Sequence, residues 1–125
     1  MFKKRPEDDG SWPLEIRFIK DQALLKISFD DSFEGEIPYE LLRVESPSAE
    51  TRGHGGETPP PVAGKKNVSV TSADPVGRYA LRINFSDGHN SGLYSWPYLK
   101  ELATNQKPRM KAYQKRLKEY GLSRD

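Results

Sequence analysis

The sequence predicts a small α+β domain of mainly antiparallel strands with short helices. Several short segments alternate apolar and polar residues, which is the period-2 pattern of half-buried strands. Turn signals separate these segments, and helical spacing of apolar residues is confined to a few short stretches. The chain of 125 residues has room for one such domain, and its 5 Phe, 6 Tyr and 2 Trp supply a core although 30% of the residues are charged.

The first group of strands is predicted from three segments. Apolar and polar residues alternate over 14–18, the pattern repeats over 25–29, and a third strand follows over 33–37. The polar stretches between them are short, so a three-stranded antiparallel meander is the simplest arrangement. Pro38 then suits the first position of a short helix over 39–44.

The second group of strands follows a long loop. Periodicity is absent from 45–66, where glycines and prolines cluster, so we expect no regular structure there. Val68 and Val70 restart a short strand, and we expect a turn over 74–77 because Pro75 presets its second position. The clearest alternation of the chain, over 79–85, predicts the next strand.

The last third of the chain is predicted to hold a hairpin turn and two helices. Asp87 and Gly88 favour a two-residue type I′ turn with a returning strand over 89–95, and Asn in place of Asp87 should be neutral there. A helix should begin near Pro97. A final helix, 107–120, has one narrow apolar stripe, formed by Met110, Tyr113, Leu117 and Tyr120.

The elements and charges divide the chain into a flexible leader (1–12), a domain (13–104) and a basic helical tail (105–125). Residues 107–125 hold seven Lys or Arg and two acidic residues, a net +5; because the whole chain carries +2, the remainder carries −3. Such a tail can steer toward anionic partners, although a solvated lysine-rich face has the same composition. The stripe could pack on the domain itself, but because it is narrow and basic residues crowd it, we expect the tail to dock loosely or to wait for a partner.

Composition and motifs exclude several classes of function. The chain has no cysteine, which excludes disulfides, thiolate metal sites and a thiol nucleophile. No run of 18 apolar residues is present, so we expect no membrane span, and acidic residues follow the basic N-terminus where a secretory signal would be apolar. We therefore expect a cytoplasmic protein. The phosphate-loop, nucleophile-elbow and facial-triad iron motifs all fail, so no enzyme is predicted.

Two regions are candidates for binding a partner. In the glycine loop 52–57, exposed backbone N–H groups could hold an anion beside an arginine, or the loop could simply be mobile. Beside the hairpin 85–96, polar and aromatic side chains are typical of interfaces, but they could equally be a turn histidine and core residues with satisfied polar tips. The candidate residues are Arg52, His54, Asp87, His89, Tyr94 and Trp96.

Four segments, in their order and spacing, resemble one known family. They are LEIR at 14–17, LRVESPSAE at 42–50 leading to RGHG at 52–55, PVGRYAL at 75–81, and FSDGHNSGLYSWPYL at 85–99. They are similar to the bacterial DUF971 proteins, the gamma-butyrobetaine hydroxylase-like N-terminal domain family. In full-length hydroxylases this domain precedes an iron- and 2-oxoglutarate-dependent catalytic domain. The same domain is attached to P-loop scaffold proteins of iron–sulfur assembly.

The resemblance also implies a zinc site that this sequence has altered. The family binds zinc through three cysteines and one histidine; the histidine falls on His89 and the cysteines on Ser46, Ser48 and Thr51. Hydroxyl groups are poor zinc ligands beside thiolates, so we expect no zinc and no other cofactor. An alternative metal site would join His89 and His54 with carboxylates.

We therefore expect a non-catalytic interaction module with a protein partner, linked through its family to iron or iron–sulfur metabolism. The alternatives are a metal-binding domain using His89 and His54, and nucleic-acid binding through the basic tail.

Overall fold

A computed structural model describes residues 12–47 and 60–125 and confirms the predicted α+β class. Nine helices and strands lie in these two ranges, and one 3-10 turn, Lys20–Gln22, joins the first two strands. The elements are β1 (Pro13–Ile19), β2 (Leu24–Phe29), β3 (Glu34–Pro38), α1 (Tyr39–Val44), β4 (Val70–Val76), β5 (Ala80–Phe85), β6 (Leu93–Ser95), α2 (Trp96–Thr104) and α3 (Gln106–Glu119).

The strands form two antiparallel sheets of three, ordered β1-β2-β3 and β4-β5-β6. Their alternation sets which face is buried: in β2, Leu25 and Ile27 are buried, whereas Lys26 between them is exposed. A three-stranded sheet with one apolar face needs a covering layer. In this fold a single core cluster joins both sheets with α1 and α2.

Trp12 belongs to this core, with 3% of its surface exposed. Its ring meets the ring of Trp96 edge-on, with centroids 6.3 Å apart. The prediction that residue 12 belongs to a flexible leader is therefore wrong, because an aromatic ring next to the first strand covers the start of α2. Residues 1–11 lie outside the described part of the chain.

The turn predicted over 74–77 lies three residues further on. β4 continues to Val76, and residues 77–79 form the turn, with Gly77 at φ 60°. Pro75 remains inside the strand because β4 is an edge strand, where a residue without an N–H group is tolerated.

The hairpin turn after β5 also differs from its prediction. The Gly88 N–H donates to the Phe85 carbonyl at 3.0 Å, and the Phe85 N–H donates to the His89 carbonyl at 3.0 Å. Gly88 is left-handed at φ 90°, but Asp87 is not. The chain therefore reverses through three residues, a turn followed by a left-handed glycine, instead of a two-residue type I′ turn. The returning strand, predicted over 89–95, is limited to β6 (Leu93–Ser95).

The tail helix α3 docks on the domain. Tyr113 and Leu117, the centre of its stripe, are buried, and the Arg124 guanidinium donates to the buried Glu40 carboxylate at 2.7 and 2.9 Å. The Lys66 N–H also donates to the Arg124 carbonyl at 2.9 Å. The expectation of a loosely docked or waiting tail is therefore wrong, since the narrow stripe is supplemented by ion pairs and backbone bonds. None of the described helices is long and apolar enough to cross a membrane.

Leu117→Ala should lower the free energy of unfolding by about 2–3 kcal/mol, because it removes a buried leucine and leaves a cavity. The control Leu122→Ala, at a position with 40% of its surface exposed, should cost less than about 1 kcal/mol. Urea unfolding of both variants measures the difference. Equal, small effects would mean that α3 does not share the stability of the domain.

Candidate functional site

Five polar side chains meet where the end of α1, the segment before β4 and the turn after β5 come together. We call them the polar cluster: Arg43, Ser46, Lys65, Asp87 and His89. Arg43 lies in the last turn of α1 and Ser46 follows two residues after the helix ends, and both contact residues that follow β5, Asp87 and His89. The cluster therefore exists only when the two halves of the chain are packed together.

Ser46 and His89 form the buried pair of the cluster. The Ser46 Oγ and the His89 Nε2 lie 2.8 Å apart, and the two residues are 3% and 6% exposed. The chain passes close behind them: a Cβ at Gly92 would lie 2.2 Å from the Ser46 Oγ. Glycine is needed at position 92 because any side chain would displace the serine.

Asp87 holds the charged half of the cluster. Its Oδ2 accepts from the Arg43 Nε at 2.7 Å and from the Lys65 Nζ at 2.6 Å, and its Oδ1 accepts from the His89 backbone N–H at 3.0 Å. Burial alone would raise the pKa of Asp87, but the bonds from Lys65, His89 and Arg43 outweigh it and hold the pKa well below its ordinary value. These ion pairs remove the basis for expecting Asn to be neutral at this position.

Two predicted partner-binding residues, Tyr94 and Trp96, are core residues. They are 0% and 2% exposed. The Tyr94 hydroxyl donates to the Leu42 carbonyl, and the Trp96 Nε1–H donates to the Arg78 carbonyl at 2.7 Å. Burial raises the pKa of the Tyr94 phenol well above its ordinary value. Of the two alternatives for these rings, the buried one with satisfied polar tips is correct, so they contribute no exposed patch.

Of the remaining predicted residues, the structure brings Asp87 and His89 together at the turn. Their contact runs through the backbone N–H of His89, and the imidazole contacts Ser46, to which the resemblance assigns a family cysteine. Arg52 and His54 lie outside the described residues. The glycine-loop half of the predicted surface therefore stays a prediction.

The described residues do not fit the zinc ion that the family resemblance implies. Two ligands of one tetrahedral zinc lie about 3.4 Å apart when their bonds are near 2.1 Å, whereas the Ser46 and His89 atoms are at hydrogen-bond distance. Within residues 12–47 and 60–125, no group of three or more His, Cys, Asp or Glu side chains could hold a metal. Ser48, Thr51 and His54 lie outside these ranges.

A groove of about 510 Å³ lies beside the polar cluster and was not predicted from the sequence. Ser46 belongs to both. The groove is bounded by residues 44–47 at the end of α1, by residues 60–62, by β6 and α2, and by α3. Its apolar walls include Pro47, Pro61, Val62, Leu93 and Ala112. Because the lining comes from four separate segments, no local pattern in the sequence could indicate it.

The polar groups of the groove are bonded within the protein. The Tyr98 hydroxyl donates to the Glu45 carbonyl, and the Tyr113 hydroxyl donates to the Val62 carbonyl. Burial raises the pKa of Tyr113 to about 12. These bonds direct both phenol oxygens toward the backbone, so a ligand would meet mainly the faces of the rings.

Arg109 is one of the two arginines that line the groove, with Arg116, and it is held by two carboxylates. It donates to Glu101 at 2.7 Å and also to Glu45. Burial raises the pKa of Glu45, and the adjacent Arg109 opposes that rise. For Arg109 itself, burial lowers the pKa, but the two carboxylates outweigh this effect and raise it. The guanidinium is therefore a structural cross-link between α1, α2 and α3.

Comparisons with known proteins agree with one another on the family and on the fold of this chain. Residues 16–100 match the family described as gamma-butyrobetaine hydroxylase-like, N-terminal. Two proteins with NMR solution structures are 40% and 39% identical, with TM-scores of 0.80 and 0.77; the matches cover 98% and 92% of this chain and 91% and 90% of those chains. A crystal structure of a DUF971 protein of unknown function from Acidithiobacillus ferrooxidans is 38% identical, with a TM-score of 0.61, over 73% of this chain and 91% of that one. No curated protein matches the chain.

Asp87→Asn should lower the free energy of unfolding at pH 7 by about 1–2 kcal/mol, because Arg43 and Lys65 lose their carboxylate. The folded pKa lies below the ordinary value of 3.8, so this stabilisation is present above about pH 5 and declines as the pH falls through 3.8. Urea unfolding measures the difference in free energy of unfolding between the wild type and the variant. This difference should be constant from pH 7 to about pH 5 and should shrink between about pH 5 and pH 3.

The matched control is Asp74→Asn, whose carboxylate is exposed and lies 3.9 Å from Arg82. It should change stability by less than about 0.5 kcal/mol. If Asp87→Asn behaved like this control at pH 7, the ion pairs of the polar cluster would contribute nothing.

The purified protein should contain no stoichiometric zinc, and a chelator should leave its melting temperature unchanged, because Ser46 stands where the family has a thiolate. Elemental analysis of the wild type and of His89→Gln checks this expectation. About one metal ion per chain in the wild type, absent from His89→Gln, would instead establish the histidine–carboxylate site.

Proposed function

Since the chain belongs to the gamma-butyrobetaine hydroxylase-like N-terminal family, we propose that it is a non-catalytic module that binds a protein partner. The proposed binding site is the groove between the end of α1 and α3, next to the hairpin half of the surface predicted from the sequence. The observation that carries the proposal is the chemistry of this groove: among the described residues its walls are largely apolar, while its phenols and Arg109 already have partners within the protein.

The polar cluster supports binding over catalysis. A serine beside an imidazole resembles a nucleophile and its base, but Ser46 is 3% exposed. A triad also needs a carboxylate that orients the imidazole. Both oxygens of Asp87 are taken up by Arg43, Lys65 and a backbone N–H. These bonds fix the turn after β5 against α1, which is a structural task.

The occupant that best fits the groove is an apolar segment of a polypeptide. Prolines and Leu93 form its walls, and Leu93 has 47% of its surface exposed. The positive charge of Arg109 is balanced by Glu45 and Glu101, and Arg116 is the second cation of the lining beside the apolar walls. The family resemblance suggests a partner in iron or iron–sulfur metabolism, in the cytoplasm.

Leu93→Asp should weaken partner binding, because it places a charge on the wall of the groove. Leu14→Asp is the matched control: Leu14 lies on β1, outside the groove lining, and is 58% exposed. Tagged wild type and both variants are used to capture proteins from extract, and mass spectrometry quantifies each bound protein. We then expect the partner to bind the purified wild type and Leu14→Asp, but at least about tenfold more weakly to Leu93→Asp.

Both leucines are exposed, so both variants should fold, which circular dichroism confirms before the comparison. Capture that does not differ between Leu93→Asp and Leu14→Asp would contradict the groove as the binding site. Capture of no protein above the level of the tag alone would contradict the interaction module itself.

A further inference from the structure

The basic residues of the tail separate into two kinds once their surroundings are known. The arginines have partners within the chain: Arg109 and Arg124 bind glutamates, and the Arg116 guanidinium lies over the Tyr120 ring, 5.6 Å from its centroid. The lysines are exposed, and none of them makes an ion pair with the described residues. We call these four the lysine row: Lys107, Lys111, Lys115 and Lys118.

The lysine row occupies one side of α3. Its spacings of four, four and three residues place all four within a sector about 80° wide, at about 100° per residue. Tyr113 and Leu117, which are buried against the domain, lie on nearly the opposite side of the helix. At 1.5 Å per residue the row is about 16 Å long. It is therefore a straight line of positive charge that faces away from the domain.

Helix stability explains only the end of this arrangement, where Lys118 lies in the last turn, in which the helix dipole favours a cation. Like charges four residues apart destabilise a helix, and two such pairs, Lys107 with Lys111 and Lys111 with Lys115, follow each other here. Lys107 also lies in the first turn, where the helix dipole disfavours a cation, and that turn has no acidic residue to compensate. A negatively charged partner would relieve both effects.

The geometry points to phosphate as this partner. Protein interfaces are depleted in lysine and enriched in aromatic and apolar anchors, and the row contains none. Insertion into a membrane surface needs an apolar helix face, but the apolar face of α3 is packed on the domain. The major groove of duplex DNA is about 12 Å wide, so a row of about 16 Å reaches phosphates on both of its sides.

We propose that the lysine row binds the phosphate backbone of duplex DNA without sequence preference. Lysine contributes a point charge, whereas the planar fork that reads guanine belongs to arginine, and the tail's arginines are engaged inside the protein. Binding is therefore electrostatic. With four phosphate contacts, the slope of log K against log salt concentration is about −3.6, so the affinity falls about a hundredfold between about 50 and 200 mM salt.

The test is fluorescence anisotropy of the full chain with a labelled duplex at several salt concentrations. We expect Lys111→Gln to reduce the salt slope by about 0.9, and the variant with all four lysines of the row changed to Gln to lose binding. Lys20→Gln is the matched control, because Lys20 is an exposed lysine in the turn between β1 and β2. It should keep the affinity and the slope of the wild type.

The four-lysine variant should remain folded, with a melting temperature equal to or above that of the wild type, because it removes repulsion between exposed side chains. Absence of duplex binding at low salt would overturn the proposal. Equal loss of binding in Lys20→Gln would also overturn it, since net charge and not the row would then be responsible. Tighter binding to polyglutamate or to phosphatidylserine vesicles than to duplex DNA would assign the row to an acidic protein or a membrane surface.

Discussion

The end of α1 is bonded to the second half of the chain by side chains, and the rest of the site depends on this attachment. The Tyr94 hydroxyl binds the Leu42 carbonyl, the Tyr98 hydroxyl binds the Glu45 carbonyl, and Asp87 binds the Arg43 guanidinium. Carbonyl groups at a helix end have no partner within the helix. Here the second sheet and α2 supply those partners, so satisfying the helix end also joins the two halves of the fold.

This attachment creates both the polar cluster and the groove. Once residues 43–46 are fixed against the turn after β5, Ser46 meets His89, and the chain beyond Ser46 forms one side of the groove. Arg109 closes the arrangement by binding Glu45 and Glu101 at the same time. These ion pairs, together with those of Asp87 to Arg43 and Lys65, join the end of α1 to the second half of the chain.

The arginines and lysines of α3 and its C-terminal extension lie in two different environments. Arg124 meets Glu40, which has 5% of its surface exposed, through a two-pronged contact that suits a planar guanidinium. Breaking such a pair would leave a buried charge alone, so it specifies where the end of the chain lies. The lysines, with compact and strongly hydrated charges, remain in solvent.

The sequence by itself determined the local features of this protein. Alternation of apolar and polar residues over 14–18, 25–29 and 79–85 shows which residues share a face of a strand, because residues two positions apart lie on the same face. The Asp-Gly pair at 87–88 indicated where the chain reverses after β5. The number of residues in that turn depended on the backbone hydrogen bonds across it. The absence of cysteine from the sequence also showed that no thiolate ligand is available.

Only the tertiary structure decided which of these residues are accessible and which are paired. Tyr94 and Trp96 have the composition of an interface, but residues that lie tens of positions away cover them. Asp87 appeared to be a turn residue and proved to be the anion between Arg43 and Lys65. The narrow stripe of α3 could not show that the Glu40 carboxylate would form an ion pair with Arg124, which lies 84 positions later. Burial and ion pairing depend on groups that the fold brings together, and local periodicity carries no information about them.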